Sequence, residues 1–337
     1  MILILSQGHY EQTTNEVMDW IGYHDRSCIR INGEDILKAD YAMSFGNGAD
    51  ALRLIINGEA FAREDVRVVW FRRWSVQLFY RFIDINGEPT LKFKVNEHLK
   101  REFYAASRAF CTLFEDKTWF SRPSFNVIAN KIHVLQQARA VGFNIPETLI
   151  TNRKTELKQF YQAHGNIITK CLSEIDAFPY DDYVYSLLTS PLTEEDIAES
   201  GDTFFPTLAQ KRIEKDFEIR TFYLAGECHS MAIFSQRDAK TTVDFRNYNM
   251  ERPNRSVPYL LPADLDAKVC RLMEKLQLNN GSIDLIKTTG GEYVFLEVNP
   301  VGQFGMVSEA CNYYLEEKMA LQLIKADEAE KQTHPVL

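Results

Sequence analysis

The feature that most restricts the fold lies near the C-terminus. There two apolar runs, Ser282-Ile-Asp-Leu-Ile-Lys287 and Glu292-Tyr-Val-Phe-Leu-Glu-Val-Asn299, flank the turn Thr288-Thr-Gly-Gly291. Strand-forming runs on either side of a Gly-Gly turn predict a β-hairpin. Each run carries a carboxylate where a buried strand should be apolar, Asp284 in the first and Glu297 in the second. Side chains alternate along a strand, so Tyr293, Phe295, Glu297 and Asn299 are expected on one face and Val294, Leu296 and Val298 on the other. Two carboxylates and an amide oxygen then converge. A carboxylate among Val, Phe and Leu is costly to bury unless it is paired or bound to a cation. Hard oxygen ligands of this kind suit Mg²⁺, which completes its octahedron with phosphate oxygens. The competing account is a solvated hairpin end with Asn299-Pro300 starting a turn; the metal account is preferred because both strands carry the anomaly.

The rest of the chain alternates helical and strand-like patterns. Ile2 to Leu5, an amphipathic stretch from Thr13 to Ile21 and Ile29 to Ile31 predict a βαβ opening. Arg67-Val-Val-Trp-Phe-Arg-Arg-Trp74 reads as a strand, followed by a helix from Asn96 to Phe114 and an irregular link containing Pro123. Asn130 to Phe143 reads as a helix stopped by Gly142. A strand from Pro146, a helix over Lys154 to His164 and a strand over Asn166 to Cys171 make an α+β unit. Ser173 to Pro206 reads as an insertion outside the core, with Thr193 capping a helix through Asp196. Strands over Thr207 to Ile213, Glu218 to Leu224 and His229 to Ser235, with a tight connection at Ala225-Gly226-Glu227, and a helix from Pro262 to Leu276 lead into the hairpin. The expected domains are residues 1–120, 121–206 with the insertion at about 173–206, and 207–337.

Charge and motif content exclude several classes. The net charge of −9 has the wrong sign for a protein that holds nucleic acid through phosphate contacts. No apolar run approaches the roughly 20 residues of a membrane span. The six cysteines are scattered without a C-x-x-C pair, so reduced thiols in a cytoplasmic protein are expected. Gly46-Asn-Gly-Ala-Asp-Ala51 matches a dinucleotide fingerprint but lacks a strand-to-helix frame, so it is read as a turn. Walker A, G-x-S-x-G and H-E-x-x-H patterns are absent. Lys170 ends an apolar strand, where it either reaches an anion or snorkels to solvent. Arg220 shares a strand face with Glu218, which makes an internal ion pair its plain account.

The order of these features, Lys131, Lys170, Gln210-Lys-Arg-Ile213, Glu218-Ile-Arg220, Asp284 and Glu297-Val-Asn299, resembles the ATP-grasp superfamily over about residues 120–325. The resemblance implies that Lys131 and Lys170 hold nucleotide phosphates. It further implies that Gln210, Lys211, Arg212 and Ile213, with Asp216 beyond them, form the adenine site, and that Asp284, Glu297 and Asn299 bind magnesium. The family's glycine-rich phosphate loop has no counterpart in Ser173-Glu-Ile-Asp-Ala-Phe-Pro179. The implied fold is α+β: an N-terminal α/β domain, a central α+β domain and a C-terminal antiparallel-sheet domain.

A narrower resemblance spans nearly the whole chain. Trp70-Phe-Arg-Arg-Trp74, Phe217 to Tyr223, Ser230 to Gln236, Asp244-Phe-Arg-Asn-Tyr-Asn249 and Pro258-Tyr-Leu-Leu-Pro262 are similar to the ATP-grasp peptide maturases of graspetides, the microviridin-type macrocycles, and most of all to those of grasp-with-spasm systems. This implies an ADP-producing ligase, usually a homodimer, acting on a ribosomally made precursor peptide. An Asp or Glu side chain would be activated as an acyl phosphate and attacked by a Thr or Ser hydroxyl or a Lys amine. Arg220 and Arg246, with Asn247 beside the latter, would serve the transferring phosphoryl group, although Asp244 offers Arg246 a local ion pair. Glu194, Glu195 and Asp196 are candidates for leader docking, or simply a solvated helix face. Arg72 and Arg73 either face the acidic core peptide or form a cation–aromatic stack. The alternatives are a carboxylate–amine ligase and a non-catalytic peptide-binding module.

Overall fold

The N-terminal run Ile2–Ser6 forms β1, and all of its residues are buried, as a strand covered on both faces requires. The computed structural model describes residues 1–9, 11–37, 40–46, 51–56, 59–74, 89–123, 130–172, 177–180, 183–186, 188–238, 240–247 and 249–333. Helix α1 (Gln12–Tyr23) buries Thr14, Val17 and Ile21, three to four residues apart and so on one face. Strand β2 (Cys28–Asn32) then pairs parallel with β1, Ile2 opposite Cys28, which completes the expected βαβ opening.

A small antiparallel sheet follows, from β3 (Asp40–Ser44), β4 (Ala51–Ile56) and β5 (Glu59–Ala62). Ser44 stands opposite Ala51, so the Gly46 to Ala51 stretch joins two paired strands rather than a strand and a helix; its residues 47–50 lie outside the described residues. Strand β6 (Val68–Phe71), helix α2 (Pro89–Thr112) and strand β7 (Thr118–Phe120) complete a parallel sheet in the order β2-β1-β6-β7.

Met1–Pro123 and Tyr314–Leu337 form one compact unit, and Ser124–Tyr313 forms the other. The C-terminal helix Leu315–Thr333 was expected with the last domain but belongs to the first unit. The cause is packing: Leu315, Met319, Ala320 and Leu323 are fully buried, and Asp327 meets Arg67 at 2.8 Å and the N-terminal ammonium at 3.1 Å.

The second unit opens with α3 (Lys131–Ala140), capped by the Asn130 side chain, which accepts the N–H groups of Ile132 and His133. Strand β8 (Thr148–Arg153), helix α4 (Lys154–His164) and strand β9 (Ile167–Lys170) follow. Strands β10 (Ala177–Tyr180) and β11 (Tyr183–Ser186) form a separate two-stranded hairpin. Strand β12 (Ser190–Leu192), helix α5 (Glu194–Glu199) and strand β13 (Thr203–Lys211) lead back, giving an antiparallel sheet in the order β12-β9-β13-β8. The stretch 173–206 was read as lying outside the core. Instead β12 and β13 are strands of this sheet, and Ile197 packs with Leu157, Ile167, Ala209, Leu192 and Phe204. β12 is too short for hydrophobic periodicity to reveal it, and α5 shows in the sequence only through its Thr193 cap.

The second sheet of this unit contains β14 (Lys215–Leu224), β15 (Glu227–Phe234), β16 (Arg255–Tyr259), β17 (Asn280–Thr288) and β18 (Tyr293–Asn299). They are antiparallel in the order β16-β15-β14-β17-β18. Ala225 and Gly226 link β14 to β15 with φ of 48° and 103°, the left-handed pair that tight hairpin turns require. Helix α6 (Ala263–Lys275) buries Leu265, Val269, Leu272 and Met273 against Phe217, Ile219, Ile283, Leu285 and Phe295. Each such side chain contributes about 1.5–3 kcal/mol when removed from water. One face of the sheet is thereby committed to this core, and the other carries Glu218, Arg220 and Asp284 beside an apolar patch in which Phe222 packs on Phe304. Helix α7 (Gly305–Cys311) ends the unit. Among the described residues, no helix is long and apolar enough to cross a membrane.

Candidate active site

The site is built on the face of the five-stranded sheet that α6 does not cover. Phe217 and Ile219 of β14 enter the core, so Glu218 and Arg220 point to the opposite side. The register sets Arg220 opposite Asp284 of β17, and Asp284 opposite Glu297 of β18. One cation and two carboxylates therefore stand in a row across three strands.

The pairing of β17 with β18 slips between Asp284 and Leu285: Asp284 faces Glu297, whereas Leu285 faces Phe295. Leu296 is the extra residue of a β-bulge, which reverses the alternation beyond it. Phe295 is accordingly 0% exposed with its ring 5.3 Å from that of Phe143, while Leu296 and Glu297 both line a cleft. The expectation that Phe295 and Glu297 share a face is thus corrected by a bulge that strict alternation does not contain.

Arg220 Nη1 donates to both Asp284 oxygens, at 2.7 and 2.6 Å. Its Nε is buried without a hydrogen-bond partner among the described residues. The ion pair expected between Arg220 and Glu218 is not formed. Glu218 instead accepts from Lys215 Nζ and from Ser235 Oγ, the latter at 3.0 Å. Three residues apart on a regular strand, Lys215 and Glu218 would face opposite ways, but the register shifts between Lys215 and Phe217 and brings them together. This Lys215–Glu218–Ser235 cluster was missed in the sequence because its signal is the irregularity itself. Burial raises the Glu218 carboxyl, with Lys215 opposing. Burial also raises Asp284; Arg220 opposes this and Glu297 adds to it.

The cleft lies between the two sheets of the second unit and holds about 830 Å³ of empty space, part of it open to solvent. Lys170, Gln210, Lys211, Arg212, Ile213, Arg220, Arg246, Asp284 and Glu297, all anticipated from the sequence, line it. Lys170 reaches it from the end of β9. Burial lowers its ammonium pKa, with attraction to Glu297 opposing and repulsion from Lys131 and Arg246 assisting. Gln210 to Ile213 run from β13 toward β14 and form one wall. Gln210 Nε2 donates to Thr148 Oγ1 at 2.8 Å, and the N–H groups of Lys211 and Arg212 donate to the Glu147 and Asn166 carbonyls. Arg246 is held by Asp244 in a bidentate pair at 2.9 and 2.7 Å. Hydrogen bonding to Asp244 raises the guanidinium pKa. Burial works against ionised Asp244, but the bonds from Arg246 outweigh it and hold its carboxyl low.

Other anticipated residues lie elsewhere. Lys131 is outside the cleft lining; its Nζ donates to the carbonyl of Cys171 at 2.6 Å, next to Lys170. Asp216 is exposed at the β14 irregularity. Asn247 is exposed and donates to the Lys240 carbonyl at 3.1 Å. Asn299 is not brought into the lining; its Oδ1 accepts the Gly302 N–H at 3.0 Å and fixes the turn after β18. Gly302 has φ of 44°, and a Cβ there would lie 2.7 Å from Ser282 N, so this turn requires glycine. Glu194, Glu195 and Asp196 form the first turn of α5, where Asp196 and Thr193 complete a capping box. In the first unit Arg72 is 1% exposed and stacks over Trp70 at 5.4 Å, with Glu11 at 3.6 Å. Arg72 is therefore a buried cation held by Glu11 and the Trp70 ring rather than a surface group. Arg73 is the partly exposed member of the pair.

The donor set fits a divalent cation. Like charges directly opposite one another on neighbouring strands repel, and Asp284 and Glu297 occupy such positions with the single cross-strand arginine on the far side. Carboxylate oxygens match Mg²⁺ rather than a softer metal.

No protein-family model matches the chain, and no curated protein matches it. Solved structures do. A Chryseobacterium gregarium RiPP-associated ATP-grasp ligase, in complex with ADP and a leader and core peptide, is 24% identical with a TM-score of 0.80, over 96% of both chains. The Microcystis aeruginosa macrocyclase MdnC, bound with precursor peptide MdnA, is also 24% identical with a TM-score of 0.80, over 97% of this chain and 100% of that one. The ATP-grasp ligase PsnB, complexed with a phosphomimetic variant of its minimal precursor, Mg and ADP, is 14% identical with a TM-score of 0.73, over 97% and 98% of the two chains. The chain has the ATP-grasp fold of these ligases.

Proposed function

We propose that the protein is an ATP-dependent peptide maturase that crosslinks side chains of a ribosomally made precursor peptide. The observation that carries this reading is the Arg220–Asp284–Glu297 row in a cleft that also receives Lys170. The fold shared with ligases solved with ADP, Mg and precursor peptides supports it.

In this reading the cleft wall from Gln210 to Ile213 receives the adenine. Lys170 binds phosphate oxygens, and Lys131 adds positive charge behind it. Asp284 and Glu297 hold Mg²⁺, which supplies charge neutralisation for the phosphates. Asn299 follows two residues after Glu297 in β18, with its Oδ1 on the Gly302 N–H. Arg220 has Nε and Nη2 left for a second anion after its Nη1 meets Asp284, and its planar fork suits a carboxylate or phosphoryl group. Arg246, oriented by Asp244, offers a second positive group. An Asp or Glu carboxylate of the precursor attacks the γ-phosphoryl group of ATP and ADP leaves. A Thr or Ser hydroxyl, or a Lys amine, then attacks the resulting acyl phosphate, and phosphate leaves. The net change in the peptide is loss of one water per crosslink. No protein nucleophile takes part, so catalysis rests on positioning and electrostatics.

The hairpin of β10 and β11 and the acidic first turn of α5 are the surfaces assigned to the leader, with Arg73 a separate candidate for the core peptide. A homodimer and a cytoplasmic location belong to the same reading. The test is incubation with ATP, Mg²⁺ and the peptide encoded by a neighbouring short reading frame rich in Thr/Ser and Asp/Glu, followed by mass spectrometry. Loss of water with ADP formation is expected. A mass increase would assign a carboxylate–amine ligase instead, and absence of ADP formation would assign a peptide-binding module.

A further inference from the structure

A second cluster of metal-ligating groups lies in the same unit, between the β14–β15 turn and α6. Asp266 and Cys270 are four residues apart on α6 and therefore lie on one helix face. Cys228 is the second residue of β15, just after the Ala225-Gly226 turn. One ligand atom from each of these three residues, two Sγ and one carboxylate oxygen, lies within 4.8 Å of the others. All three are partly buried, and both cysteines pack against the rim of the apolar core. Neither cysteine is in a disulfide.

We propose that Cys228, Asp266 and Cys270 form a binding site for a soft divalent ion of the Zn²⁺ type. Two sulfurs and one oxygen are a zinc donor set and a poor one for Mg²⁺ or Ca²⁺, which take oxygen alone. Zn–S bonds of about 2.3 Å and Zn–O bonds of about 2.1 Å at tetrahedral angles place the two sulfurs about 3.8 Å apart and each sulfur about 3.6 Å from the oxygen, so the cluster, within 4.8 Å, closes on an ion with a contraction of about 1.2 Å or less. The scaffold holds the ligands near that geometry. Val269 and Leu272, fully buried, anchor α6 around Cys270, and Leu224 opposite Glu227 fixes the turn before Cys228. A disulfide would need the two sulfurs but has no use for Asp266 at the same point. Three protein ligands leave a fourth position for water or an added ligand. The ion would tie the helix that backs the five-stranded sheet to the β14–β15 hairpin, and β14 carries Arg220 into the cleft. The site is separate from the Asp284–Glu297 pair, and its existence does not depend on the activity proposed above.

The test uses the full-length protein, reduced and stripped with chelator, titrated with Co²⁺ and then Zn²⁺. One equivalent of Co²⁺ should give sulfur-to-cobalt charge-transfer absorption, which carboxylate-only binding at Asp284 and Glu297 cannot produce, and Zn²⁺ should displace it. Cys270→Ser and Cys228→Ser should each abolish that band, and Asp266→Asn should weaken binding at least tenfold. Zn²⁺ at a hundredfold excess over its Kd should raise the melting temperature of the wild type by about 5–10 °C and leave Cys270→Ser unmoved. Circular dichroism of each variant separates loss of the site from loss of the fold, and Asp266→Asn keeps both sulfurs should a cysteine variant not fold. A missing charge-transfer band, or one that persists in either cysteine variant, overturns the proposal. So does a Cys228–Cys270 disulfide in non-reduced protein that Zn²⁺ does not prevent.

Discussion

Replacing Arg220 tests the central row most sharply, because the structure assigns it two separable consequences. Its guanidinium meets Asp284 at 2.6 Å, with the two side chains 11% and 16% exposed, so solvent screens the pair little. Removing one partner of a buried pair costs about 3–5 kcal/mol, since the other charge is left without compensation. For a unit of this size each kcal/mol corresponds to about 2–4 °C, so Arg220→Met should lower the melting temperature by about 6–20 °C. The loss should depend on pH. Burial already raises the Asp284 carboxyl and Glu297 adds to it, and without Arg220 that rise is larger. A carboxyl whose folded pKa exceeds its unfolded value destabilises as pH climbs from the unfolded value through the folded one, so the variant's deficit should be small near pH 4 and full at neutral pH. Arg220→Met/Asp284→Leu should then recover most of the stability, because an apolar replacement of both partners is close to neutral. Neither variant should form ADP with precursor above about a hundredth of the wild-type rate. Thermal melts across pH, a double-mutant cycle and a coupled ADP assay read all of this. A fall under about 2 °C, or a double variant no more stable than the single, would refute the buried-pair reasoning. Normal ADP formation in either would remove Arg220 from the chemistry.

Glu297→Gln should abolish turnover and Mg²⁺-dependent nucleotide binding while leaving leader binding nearly intact; calorimetry with ADP, with and without Mg²⁺, separates the two, and full activity would remove the metal assignment. Lys170→Met should weaken ADP by about 10- to 150-fold, the worth of a hydrogen bond to a charged group. Because burial lowers the Lys170 pKa, ADP affinity should decline as pH rises through that lowered value, earlier than for an ordinary lysine, and Lys170→Met should lose this alkaline limb. Arg72→Met should destabilise the first unit by about 2–3 kcal/mol, less than a fully isolated charge because Arg73 also approaches Glu11 at 3.5 Å, with no change in ADP formation by the folded protein. Thr193→Ala should cost about 1 kcal/mol through loss of the α5 cap, measured by denaturant titration.

The hairpin, the helices with long apolar stripes, and Lys170, Asp284 and Glu297 of the cleft were legible in the sequence, because each left a local mark. Asp284 and Glu297 stood out as charges inside apolar runs, and α4 coincides with the stretch its periodicity predicts. What was not legible depended on irregularity or distance. β12 is too short to show a period, and α5, announced only by its Thr193–Asp196 cap, hides its packing role: Leu192 and Ile197 acquire meaning only beside Ile167 and Ala209. The C-terminal helix carries an apolar stripe whose partner no local pattern names.

The sequence by itself determined which chemical groups are available: two buried-run carboxylates, a strand-end lysine and arginines with acidic neighbours. Tertiary structure decided which of them meet. Two bulges, one before Phe217 and one at Leu296, each shift the alternation by one residue. One gives Glu218 to Lys215 and leaves Arg220 to Asp284; the other turns Phe295 into the core and Glu297 into the cleft. A bulge changes facing without changing composition, because it depends on how two strands distant in the chain align. For the same reason Cys228 and Cys270, far apart in sequence and without a motif between them, come together only when α6 packs on β15.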